Sequence, residues 1–200
     1  MIPNKAFTLL ELLISLVVLT IIVLGLFNIQ TFCDYQVVGA ARKAQLQNEA
    51  SVILEKMAKS LVDATSVPGI NATVFTTSGS NKIMRAFRDT DGNGMPDAGS
   101  DDWVEFNYNT TKYTLAYCKN ATYPGGGCAV PDILTTKMIS TMGSPDVTFN
   151  NATSYLDVNI MLCWDPSLNG SADLSFRCGS LKNPKVQMRA RIPLLSVSCN

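Results

Sequence analysis

The chain has 200 residues, 46% hydrophobic and 16% charged, with Lys+Arg and Asp+Glu balanced at 16 each. That length suits one globular domain with an appendage, and zero net charge offers no basic field of the kind that draws a protein to nucleic acid. There is no histidine, which removes the usual general base and the commonest transition-metal ligand. Ser, Asp and Lys occur without a nucleophile-elbow pattern, so a catalytic triad has no support and the chain reads as a non-enzyme.

The chain opens on six residues that carry one basic side chain, Lys5. From Phe7 to Ile29 the sequence is apolar except at Thr8, Glu11, Ser15, Thr20 and Asn28. As a helix this run reaches roughly 35 Å, enough to cross a hydrocarbon core. A secretory signal would need a small-residue cleavage site after the run, and Leu26-Phe-Asn-Ile-Gln-Thr-Phe32 offers none. A plain signal anchor fits the length but leaves Glu11 unexplained, and an acid inside a membrane segment is costly. The third reading is a leader (1–6) cut between Ala6 and Phe7, before the run, so that the hydrophobic helix stays on the mature protein.

The stretch Ala6-Phe-Thr-Leu-Leu-Glu-Leu-Leu-Ile14 resembles the class III signal of type IV prepilins and type II secretion pseudopilins. The family pattern is a small residue, Phe-Thr-Leu-[Ile/Leu]-Glu, then an apolar run. Ala6 departs from it, because the family prefers glycine there. The resemblance implies cleavage by a prepilin peptidase and methylation of the new amino group on Phe7. It also implies that Glu11 pairs with the Phe7 amine of a neighbouring subunit and sets register during assembly. The alternative for Glu11 is a neutral acid that serves only insertion or peptidase recognition. The implied setting is the bacterial inner membrane, with a periplasmic head, before entry into a pilus or pseudopilus. The implied partners are other pilin or pseudopilin subunits, the peptidase and an inner-membrane assembly platform.

The helix is predicted to continue past the membrane. Between Phe32 and Val67 there is no proline, and Leu46, Ala50, Ile53, Met57, Leu61 and Ala64 recur as a helical stripe. Pro68-Gly69 is the expected stop. The expectation is one helix of about 60 residues and near 90 Å, membrane-spanning over 7–30 and amphipathic over 31–67. Gly25 and Gly39 are expected weak points where it bends or melts in an assembled filament.

Residues 68–200 lose the helical period and read as a β-rich head stapled by disulfides, which makes the fold class α+β, with a long N-terminal helix on an antiparallel sheet. Predicted strands are 73–77, 82–87, 103–108, 112–118, 146–150, 155–164 and 186–195. In the sixth, Leu156, Val158, Ile160 and Leu162 share one face; in the last, Val186, Met188, Ala190 and Ile192 do. Trp103, Tyr108, Tyr113 and Tyr117 read as sheet core and face. Cysteines at 33, 118, 128, 163, 178 and 199 form no C-x-x-C pair, and an even count suggests an oxidising compartment. Sequence neighbours suggest Cys118–Cys128 and Cys163–Cys178, leaving Cys33 and Cys199 to pair or to stay as thiols.

Asp89-Thr-Asp-Gly-Asn-Gly-Met-Pro-Asp97 has side chains at 89, 91 and 93 in the 1, 3, 5 spacing of a calcium loop. Gly94 supplies the turn, Met95 can offer its carbonyl and Asp97 stands ninth. Ser100 holds the twelfth place, where an EF-hand needs a bidentate Glu, so Asp101 or Asp102 would have to complete the set. Ca²⁺ is the expected cofactor, against a solvated acidic turn. The run Gln45–Ala64 is similar to the helix of large minor subunits, the W-type minor pilins and J-type minor pseudopilins. Head size and cysteine number point the same way. The function implied is a minor, tip-associated, assembly-priming subunit. The rivals are a major filament subunit and an anchored calcium-dependent adhesion module that never polymerises.

Overall fold

The computed structural model describes residues 8–65, 73–97, 100–122, 130–139 and 155–193. One helix, α1, runs unbroken from Leu9 to Val62. Thr8 starts it as an extended N-cap, and Thr8 and Glu11 close a reciprocal capping box. Three hydroxyls in and just after the apolar run are satisfied within the helix. Ser15, Thr20 and Thr31 donate their hydroxyls to the carbonyls of Glu11, Leu16 and Phe27 at 2.7–2.9 Å, as a hydroxyl in lipid must.

The helix stops before the expected Pro68-Gly69. Asp63 leaves helical geometry, Ala64 donates to the Leu61 carbonyl, and the Thr65 N–H is taken by the Phe87 carbonyl. Ala64 is fully buried. A sheet partner for the backbone, not a proline, ends the helix.

The head contains β1 (Thr73–Ser78), β2 (Asn81–Arg88), β3 (Asp102–Asn109), β4 (Thr114–Thr122) and β5 (Asp132–Thr135), paired antiparallel in chain order. A second pair, β6 (Tyr155–Cys163) with β7 (Lys185–Pro193), is also antiparallel. Residues 137–139 tie the two sheets together: Met138 bridges Leu162, and the backbone bonds Ile139–Met161 and Cys163–Lys137 flank that bridge.

The predicted stripe is the core seam. Leu46, Ala50, Ile53, Met57, Leu61 and Ala64 are each no more than 2% exposed. They pack on Met84, Val104 and Phe106 of the first sheet and on Leu156, Val158 and Ile160 of the second. Alternation in β7 holds too, with Val186 and Ile192 buried and Met188 and Ala190 half-buried. Trp103, Tyr108 and Tyr117 are buried and Tyr113 is half-buried, and Trp103 meets Phe87 edge-on at 5.3 Å between ring centres.

β4 starts at Thr114, not 112, because the Asn109 side chain accepts the N–H groups of Thr111 and Lys112 and Tyr113 sits at φ +56°. It runs on to Thr122 because a bulge between Trp103 and Glu105 lets it pair with the start of β3. The expected strand 146–150 lies outside the described residues. β5 is an addition, four residues long, too short to show an alternation.

Gly39, expected as a weak point, lies in continuous helix and serves packing. A Cβ there would stand 2.8 Å from the Leu181 carbonyl oxygen, whereas one at Gly25 would meet nothing within 4 Å. Gly39→Ala is therefore expected to lower stability by about 1 kcal/mol, the backbone clash outweighing better helix propensity. Gly25→Ala should be neutral or stabilising. Thermal unfolding of both variants in one detergent checks the contrast.

Candidate functional site

Glu11 sits in the first turn of α1. Its Oε2 accepts the Thr8 N–H at 3.1 Å and the Thr8 hydroxyl at 3.0 Å, while the Glu11 N–H donates to the Thr8 hydroxyl oxygen at 3.3 Å. The acid thus caps its own helix, next to the point where the leader would be removed. Ala6 and Phe7 lie outside the described residues. The role of Thr8 was legible in Thr8-Leu-Leu-Glu11, a capping-box spacing, but in an apolar run it reads first as one more polar interruption.

Beyond Glu11 the helix presents only apolar and uncharged side chains as far as Cys33. Leu9, Leu10, Leu12, Leu26, Phe27 and Phe32 are all strongly exposed. The most hydropathic window of α1 has mean hydropathy 2.8 and none of it is buried in the head. A continuous exposed apolar surface of this length requires lipid or other helices around it.

The acidic loop follows β2. The carboxylates of Asp89, Asp91 and Asp101 place oxygens within 4.8 Å of one another. Asp89 accepts the N–H groups of Gly92 and Gly94 at 2.7 and 2.8 Å, and these bonds hold its carboxyl below the usual range, the Gly94 bond most of all. Both glycines adopt positive φ, +72° and +74°, which lets the turn fold back over Asp89. Asp91 goes the other way. The Asn93 N–H pulls it down, but desolvation and the facing carboxylates of Asp89 and Asp101 push it up overall. Asp101 is buried, accepting the Thr90 and Asp97 N–H groups at 3.0 and 2.7 Å.

The other expected ligands stand back. Asn93 spends its amide N–H on Asp91 and Asp97 and its carbonyl on the Met95 N–H. Asp102 turns away toward Arg88 at 3.8 Å, and burial pushes its carboxyl up. Of the two candidates for the missing twelfth ligand, Asp101 is the one that joins the cluster.

A third feature is the loop between β6 and β7. Cys163 and Cys178 are bonded, with Cα atoms 5.7 Å apart. Asn183, 2% exposed, accepts the Asp165 N–H and donates to the Asp165 and Phe176 carbonyls. Arg42 of α1 donates to the Lys182 carbonyl at 2.6 Å and, with Lys137, lies over the Trp164 ring. Cys118 is disulfide-bonded, its expected partner Cys128 lies outside the described residues, as does Cys199, and Cys33 is an exposed thiol.

A membrane-length helix that continues as the spine of an antiparallel β head defines a pilin-like α+β architecture. Residues 1–27 match the family described as the prokaryotic N-terminal methylation motif. Motif and architecture are similar to those of type IV pilins and pseudopilins, whose N-terminal methylation motif the first 27 residues match, and α1 is long and apolar enough to cross a membrane. No curated protein and no solved structure matched the chain.

Proposed function

We propose that the protein is a minor, tip-associated subunit that helps prime assembly of a type IV pilus or type II secretion pseudopilus. The observation that carries this reading is the placement of Glu11 in the first turn of a bare apolar half-helix that is rigidly continuous with the head. Glu11 follows by four residues the amino group that cleavage before Phe7 would create, a spacing that would let a neighbour's amine reach it in a staggered stack. The subunit waits in the inner membrane with its head in the periplasm, and the assembly platform draws it into the filament. Head size and cysteine content favour a minor over a major subunit.

N-terminal sequencing and intact mass of the membrane-extracted protein are expected to begin at Phe7, with one added methyl group. A chain that retains Met1–Ala6 would instead favour the anchored module that never polymerises. Subunit counting in purified filaments separates minor from major.

We also propose that the acidic loop binds Ca²⁺, supported by the convergence of Asp89, Asp91 and Asp101. Three like charges this close repel, and the upward push on Asp91 is the cost that a hard cation would remove. Asp89, Asp91 and Asp101 would supply carboxylate oxygens, and Asn93, Met95 and Asp97, which the loop spacing also names, would have to turn inward to complete the set. Calcium at about ten times its dissociation constant should stabilise the protein by about 1.4 kcal/mol. Asp91→Asn should abolish that gain while leaving the metal-free protein intact, because Asp91 is exposed. Asp101→Asn would be a poor test, since Asp101 holds two backbone N–H groups with or without metal. A melting temperature indifferent to millimolar calcium would leave only an acidic turn.

A further inference from the structure

We propose that the Cys163–Cys178 loop, together with the part of α1 it covers, is a foot by which the head rests on the headgroups of an anionic bilayer. The inference rests on the membrane-anchored reading of α1.

The level of the loop follows from the helix. No charged residue occurs between Leu12 and Cys33, a stretch of roughly 33 Å that fills the hydrocarbon core. Asp34 and Tyr35 therefore emerge within the headgroup layer, which adds about 5–8 Å on each side of that core. The loop meets the helix at this height. A cleft of about 500 Å³ opens between them, lined by Asp34, Tyr35, Arg42, Trp164, Phe176 and Lys182 among others. Lys182 Nζ lies 5.3 Å from the Tyr35 ring centre and 5.0 Å from that of Phe176.

The chemistry matches that level. Phe176, Leu181 and Leu174 stay exposed in a loop that is otherwise well bonded, and aromatic side chains favour the membrane interface. Arg177, Lys182 and Lys185 stand in and beside the loop with Asp34, Asp165 and Asp173, while Arg42 and Lys43 lie about two turns higher on α1. Two of those acids are already engaged. Asp165 accepts the Ser167 N–H and hydroxyl, and Asp173 accepts the Ser175 N–H. A surface of clustered cations and a few apolar side chains, continuous with a spanning helix, complements anionic lipid. The disulfide and Asn183 hold that surface in one shape, so little ordering is needed on contact.

The test uses the full chain reconstituted in vesicles of mixed phosphatidylglycerol and phosphatidylcholine. Three variants each add one tryptophan to the parent: Phe176→Trp in the loop, Leu19→Trp in the span, and Val130→Trp beside β5. Lipids brominated on the acyl chain report on the span, and lipids carrying a nitroxide on the headgroup report on the loop. The added tryptophan of Phe176→Trp is expected to be quenched by the headgroup nitroxide at least about twofold more than that of Val130→Trp. The effect should weaken in vesicles of phosphatidylcholine alone. If Leu19→Trp is quenched by bromine but Phe176→Trp behaves like Val130→Trp, the foot is overturned while the anchor stands. If Leu19→Trp is not quenched, the anchor fails and the foot with it. Equal quenching in both lipid mixtures overturns the preference for anionic lipid. An emission change at Phe176→Trp that grows with protein-to-lipid ratio, without nitroxide quenching, assigns the loop to a second copy of the chain and overturns the proposal.

Discussion

Glu11→Gln is expected to lower incorporation into filaments by more than about tenfold, a loss of at least 1.4 kcal/mol per contact, while leaving cleavage and membrane insertion unchanged. The choice of glutamine follows from the geometry. Glu11 closes a capping box with Thr8, and glutamine can occupy the same position in such a box. The substitution thus keeps the helix end while removing the charge that a neighbour's amine would recognise. Thr8→Ala does the converse. It removes the N-cap, at about 1 kcal/mol of helix stability, and leaves the carboxylate in place.

The two variants separate two roles for one acid. If pairing between subunits sets register, Glu11→Gln fails to assemble and Thr8→Ala assembles with frayed ends. If the acid acts only as a cap, Thr8→Ala is the more harmful change, and the register proposal falls. Incorporation is read from immunoblots of sheared filaments against total membrane protein. The same comparison covers Glu11→Ala, which loses both functions and should be the most severely affected.

Replacing Cys163 and Cys178 together by serine is expected to destabilise the protein by about 3 kcal/mol. The bridge spans 15 residues, and closing a loop of that size in the unfolded chain accounts for a value of this order. The consequence should not spread evenly. The loop docks on α1 through the Gly39–Leu181 approach and the bond from Arg42 to the Lys182 carbonyl. It also covers Cys163 and Asn183, which are almost fully buried. Without the bridge, limited proteolysis should cut first between 165 and 184, before the meander β1–β5 opens. Thermal unfolding measured alongside that cleavage checks both parts. A change within about 0.5 kcal/mol would mean that Asn183 and its bonds hold the loop unaided.

The sequence discloses what repeats. Five positions at helical spacing, Leu46 to Leu61, name the buried face of α1, and Ala64 carries the stripe just past its end, because burial against two sheets demands one continuous stripe. Alternation finds β6 and β7 for the same reason. It does not show that Met161 and Cys163, on the opposite face of β6, are also buried; the loop that covers them comes from residues with no period at all. β5 is hidden by its brevity, and the end of the helix by a long-range bond from Thr65 to Phe87 that local signals cannot contain. In the acidic loop the 1, 3 spacing singles out Asp89 and Asp91. Only the fold decides between Asp101 and Asp102, by bonding Asp101 inward and turning Asp102 toward Arg88. Gly39 is the instructive case. Local propensity makes it a flaw in the helix, and packing makes it a place where the loop backbone at Leu181 comes too close for a side chain.

The exposed half of α1 behaves as a solute with two interchangeable solvents. Lipid tails and the apolar flanks of neighbouring helices offer it nearly the same dispersion contacts, so transfer between them is close to neutral in free energy. Hydrophobicity then sets no direction for a filament subunit: it neither drives the chain out of the bilayer nor holds it back. Direction has to come from the few groups that do distinguish the two environments, Glu11 foremost, and from work supplied by the machinery. On the filament reading proposed above, this half of the helix would neither favour nor oppose passage between bilayer and filament.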